Sequence, residues 1–176
     1  DPEQFRLPDG VDLRAITSNV YQVLDKISRT PGSDNDGAID VEELVRWVNQ
    51  ARTMLIELSR EGVGDRCIGQ LLGKCPSGND GAWPHEAVRM ALERVGNDEI
   101  LDGMALAVYN SRGVVMRGVG GNQERVLAEK YQKWSKAVAS QFPVASKLLR
   151  NIAAHYVADA KWHDTDENVR KRLDRH

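Results

Sequence analysis

Three groups of residues in this chain are of types and spacings that could do chemistry. The first is Arg150, Asn151 and His155. An imidazole can pass a proton near neutral pH, and a guanidinium carries a fixed positive charge. Five positions apart on a helix, they point about 140° away from each other and must converge by side-chain reach. The second group is acidic: Asp34, Asp36 and Glu43 lie in the run Gly32 to Glu43. A hard cation such as calcium takes roughly six to eight oxygens at fixed offsets, which such a loop could begin to supply. The third is the Gly-rich stretch carrying Arg112, Arg117, Gly120 and Gly121, which runs into a helix start at Asn122. Amides at a helix N-terminus with nearby arginines can hold a phosphate, a carboxylate or an acidic partner segment.

Two of these groups carry a family resemblance. The run Gly32 to Glu43 resembles the EF-hand, the helix-loop-helix calcium module. The resemblance puts Asp34, Asp36 and Glu43 at loop positions three, five and twelve, Gly37 at the sharp turn and Ile39 at the apolar position eight. Position one is Gly32 where the module has an Asp, and Pro31 interrupts the entering helix. The run Arg150 to His155 resembles the Arg-x4-His signature of HEPN domains, helical modules found in many prokaryotic ribonucleases. That resemblance implies RNA cleavage, with His155 in acid-base chemistry, Arg150 on phosphate charge, and a dimer.

The elements that would position these residues are helical throughout. Leu13, Ile16, Val20, Val23, Leu24 and Ile27 recur at helical spacing behind Asp12. A turn-rich loop follows, and Asp40 with Glu43 forms a capping-box signature ahead of an apolar series from Leu44 to Leu58 that Gly62 and Gly64 end. A short helix through Ile68, Leu71 and Leu72 stops at Gly73 and Pro76, and Pro84 suits the first position of the next, which Gly96 closes. Asp98 caps a helix ending near Asn110, and Val114 to Met116 reads as a short strand or ordered loop. Asn122 opens a further helix, Pro143 opens another, and Thr165 caps a final short one. The expectation is an all-α, bundle-like domain of about seven or eight helices over residues 12–176, preceded by a polar segment over 1–11. Trp47, Trp134 and Trp162 are expected in the core, with Trp83 stapling a helix entry.

The sequence also echoes itself. Asn35-Asp36-Gly37-Ala38-Ile39 followed by Glu42 returns 44 residues later (81 − 37 = 44) as Asn79-Asp80-Gly81-Ala82-Trp83 followed by Glu86. Duplication and shared turn chemistry both produce such an echo. The second copy has too few carboxylates for a calcium site.

Composition narrows the function classes. With 176 residues, 41% apolar and 28% charged, the chain has material for a core, and a net charge of −2 gives no global pull toward nucleic acid or anionic lipid. Apolar runs are far too short to span a bilayer, and the N-terminus lacks the basic and apolar parts of an export signal. Cys67 and Cys75 fit neither a disulfide scaffold nor a zinc motif, and no Gly-x-Ser-x-Gly nucleophile accompanies His163-Asp164. These features lead to the expectation of a cytoplasmic, non-catalytic interaction or regulatory module of a larger bacterial-type protein. It would need no cofactor and would bind a protein partner or other domains of its parent. A HEPN-like ribonuclease with RNA as substrate is the alternative, and a calcium-responsive helix pair is the third.

Overall fold

The computed structural model describes residues 26–27, 29–112 and 121–173, with side chains described as far as position 166. Among the described residues there are six helices and no strand, only an isolated antiparallel bridge between Ser33 and Ile39. In chain order the helices are α1 (Val41–Glu57), α2 (Glu61–Leu72), α3 (Glu86–Val95), α4 (Asp98–Ser111), α5 (Asn122–Val138) and α6 (Pro143–Leu173). The all-α class holds, and the count is lower than the seven or eight expected. The helix expected over Leu13 to Ile27 and the stretch Val114 to Met116 fall almost wholly outside the described residues. The two helices expected at the C-terminal end are one, of 31 residues. Thr165 does not cap a new start: its hydroxyl donates back to the Lys161 carbonyl at 2.9 Å, which lets the helix continue.

Helix starts follow the chemistry of their first residues, with two shifts. Asp40 caps α1 by accepting from the Glu43 amide at 2.9 Å, while the Glu43 side chain turns to Arg46 instead of closing a capping box. His85, not Pro84, stands at the start of α3, its Nδ1 accepting from the Ala87 amide at 3.2 Å. Asn97 caps α4 through the Ile100 amide at 2.9 Å, so Asp98 is the first helical residue. Gly62 and Gly64 do not end α1. It stops at Glu57, because Ser59 takes a positive φ of 52° and the Arg60 amide turns back to the Leu55 carbonyl, and both glycines lie within α2.

Packing joins these elements in pairs. α5 and α6 form the most intimate pair, and at their contact the buried Ser135 and Ser146 each donate a hydroxyl to the other's carbonyl at 3.1 Å. α2 and α4 cross where glycines remove both side chains. A Cβ on Gly69 would sit 2.1 Å from the Ile100 carbonyl oxygen, and one on Gly103 would sit 2.1 Å from that of Arg66. α3 then ties the first four helices to the last two. The Glu93 carboxylate accepts from the Val144 and Ala145 amides at 2.9 and 3.2 Å, so a residue of α3 caps α6. The core between them includes Leu44, Leu72, Leu92, Met104, Leu148 and Ile152, all at or below 1% exposure. No helix among the described residues is long and apolar enough to cross a membrane.

Candidate functional site

Helices α4, α5 and α6 gather an aromatic and ionic cluster whose tyrosines meet only through packing. On α6, His155 stacks on Tyr109 of α4 with ring centroids 4.1 Å apart and reaches Asp159 Oδ2 at 3.3 Å. The next residue, Tyr156, is buried and meets Tyr109 edge-on and Tyr131 face-on. Arg112, at the end of α4, places its guanidinium 5.3 Å from the Tyr156 ring centre and 3.5 Å from the buried Glu124. Burial pushes the Tyr131 hydroxyl up to about 12 and also raises those of Tyr109 and Tyr156, so all three stay protonated at neutral pH. The accessible acid-base groups of the cluster are therefore the imidazole of His155 and the carboxylate of Asp159.

The expected site residues divide on this geometry. Arg150 and His155 take separate partners, since Arg150 donates to Ser146 Oγ at 2.9 Å on the preceding turn while His155 faces Tyr109 and Asp159. Asn151 is exposed between them. Of the Gly-rich group, Arg112 lies in the aromatic cluster, and the Gly121 amide donates to Asp164 Oδ1 at 3.0 Å. Asp164 also pairs with Arg125, which in turn reaches Asn122 Oδ1 at 3.0 Å. The Gly121 amide and the Arg125 guanidinium thus already hold an anion, the carboxylate of Asp164. Arg117 and Gly120 lie outside the described residues. The His155 to Asp159 spacing was visible in sequence as an i, i+4 pair, whereas Tyr109 and Glu124 come to the cluster only through packing.

The two echoing loops share one backbone. Asp34 N–H bonds the Ala38 carbonyl at 2.9 Å, and 44 residues on Gly78 N–H bonds the Ala82 carbonyl at 2.8 Å. Gly37 and Gly81 both take positive φ, 87° and 74°, and donate to the carbonyls of Asp34 and Gly78. In the first loop Asp34 Oδ1 accepts from the Asp36 and Ala38 amides, each at 2.9 Å, and Glu43 pairs with Arg46. Asp34 and Glu43 line one cavity with Arg46 and Trp47, without Asp36, and no group of three metal-ligating side chains occurs among the described residues.

Four exposed large apolar residues flank the turn between α1 and α2. Met54, Leu55 and Ile56 are consecutive, so a helix can turn only one of them toward its neighbours. Leu55 takes that place against Gly64, where an added Cβ would come within 2.2 Å of it. Met54 and Ile56 are left 64% and 59% exposed, and Leu58 and Val63 follow at 47% and 66%. Met54 and Leu58, four apart, share a flank, and the exposed charges of Glu57, Arg60 and Glu61 lie among them. Trp162, expected in the core, is also exposed, because it stands on the side of α6 opposite Ala160 and Asp164, which meet Gly121. Comparison of the chain with protein-family models, with curated proteins and with solved structures gave no match.

Proposed function

We propose that this chain is a helical interaction module that engages a partner protein through the α1–α2 turn. The observation that carries this reading is the run of Met54, Ile56, Leu58 and Val63, four large apolar side chains exposed between positions 54 and 63. Apolar side chains scattered singly over a surface need no explanation, but four within ten positions, interspersed with the exposed Glu57, Arg60 and Glu61, have the mixed composition of an interface. The partner is a protein surface with an apolar patch. To test this, a photo-reactive residue is placed at position 63 in cells, with position 126 as control, since Val126 is equally exposed but lies on α5. One discrete adduct is expected from position 63 and not from 126. It should disappear in Met54→Glu/Leu58→Glu, which keeps a melting temperature within about 2 °C of wild type because both positions are on the surface. Equal labelling from both positions, or an adduct that survives the double substitution, ends the proposal.

A second reading, the ribonuclease, draws on one observation: His155 is accessible and has a carboxylate, Asp159, 3.3 Å from its Nε2. Its Arg150 is engaged with Ser146, so the arginine nearest the Tyr109–Tyr156 aromatic pair is Arg112. On this reading purified protein cleaves single-stranded RNA, and His155→Ala lowers the rate by about 100-fold or more. Absence of cleavage by the wild type removes it.

A further inference from the structure

The second loop differs from the first in what occupies it. Where the first has Asp34, the second has Gly78, and the vacated space is taken by another carboxylate. A Cβ built on Gly78 would lie 2.5 Å from both Cδ and Oε2 of Glu86. Glu86 Oε1 then accepts from the Asp80 amide at 3.3 Å, the place that Asp34 fills for Asp36. Two carboxylates, Asp80 and Glu86, are thereby brought to one side of the loop.

Between them lies a cation. Arg89 is 2% exposed, and its Nη2 stands 2.8 Å from each Asp80 oxygen and 3.7 Å from Glu86 Oε1. Its guanidinium carbon is 5.2 Å from the centre of the Phe142 ring, at the junction of α5 and α6. Nε, although buried, has no hydrogen-bond partner, so the polar anchoring of the side chain comes through its Nη2 to the two carboxylates. The position equivalent to Arg89 in the first loop, 44 residues earlier, is Val45.

We propose that the loop over residues 78–86 is a cation site whose ligand is built into the chain, and that removing the Arg89 side chain opens it to a soluble guanidinium-class cation. The buried guanidinium supplies the positive charge that a carboxylate loop otherwise takes from solution, which fixes the entry to α3 independently of ions. Desolvation acts to raise both carboxyls, yet hydrogen bonds outweigh it. Those from Arg89 and the Ala82 amide hold Asp80 below its ordinary 3.8, and those from loop amides hold Glu86 below 4.5. A carboxyl depressed in the folded state contributes stability above its unfolded value and loses it as pH falls through the folded value.

The test compares melting of wild type, Arg89→Ala and Asp80→Asn, each with and without 10 mM methylguanidinium at matched ionic strength. Arg89→Ala is expected to melt about 5 °C or more below wild type and to regain part of that loss with methylguanidinium, while wild type gains nothing. Asp80→Asn keeps Arg89, and its side chain is 48% exposed, so it folds and serves should Arg89→Ala fail to. Its melting temperature should fall less than that of wild type between pH 5 and about pH 3. Methylguanidinium raising all three proteins alike, Arg89→Ala melting with wild type, or parallel acid profiles for wild type and Asp80→Asn would each overturn the proposal.

Discussion

At Gly103 a single hydrogen atom in place of a side chain decides how two helices meet. Replacing an exposed mid-helix glycine by alanine ordinarily stabilises by about 1 kcal/mol. Here the new methyl would stand 2.1 Å from the Arg66 carbonyl oxygen, with Gly69 Cα 3.0 Å away, and backbone cannot rotate aside as a side chain can. Gly103→Ala is therefore expected to destabilise by about 1–3 kcal/mol, seen as a lower urea midpoint at unchanged slope. An unchanged or higher midpoint would mean that the two backbones are not in contact at this crossing. Nothing in the residues around Gly69 or Gly103 announces this, because the requirement comes from a partner some 34 positions away (103 − 69 = 34). Asp40 is the opposite case. Its cap is a relation between residues three apart, and it reads directly from sequence to structure. The cysteines fall between these cases. Only packing reveals that burial pushes the Cys75 thiol up to about 12 while Cys67 remains partly open.

At the scale of elements, periodic apolar residues were enough to locate α1 to α6, and the errors lie at their ends. Asn97 displaced Asp98 as a cap because either side chain can accept an amide, and only the chain's path chooses between them. The α1 boundary moved because a glycine can sit inside a helix when a neighbour needs the room. Gly64 does so for Leu55, and in giving Leu55 its place it leaves Met54 and Ile56 outside. The apolar surface that supports the interaction reading thus results from three adjacent apolar residues on a helix with one inward direction. Those residues were visible in sequence, but which of the three turns inward was not. The echo between the two loops was visible too. Its meaning was not, because Glu86 does in the second loop what Asp34 does in the first from a different position in the chain.

Across the whole molecule, α4, through Tyr109, and α3 both join the two halves, and α3 does so with charged side chains. Its Arg94 pairs with Glu42 at the start of α1, its Arg89 lies against Phe142, and its Glu93 reaches the first turn of α6. That last contact makes the hydrogen bonding of one helix depend on the docking of another. The Val144 and Ala145 amides, at a helix start, have no carbonyl within their own helix to bond. Their slow exchange with deuterium consequently reports the joint between the halves, not the helicity of α6. In Glu93→Gln the neutral amide oxygen accepts more weakly, and both amides should exchange about tenfold faster while those near Leu148 and Ile152 keep their rates. Acceleration spread evenly along α6 would instead mean that the helix frays by itself. Two backbone amides can thus serve as a strain-free reporter for any partner or condition that parts the two halves while every helix stays formed.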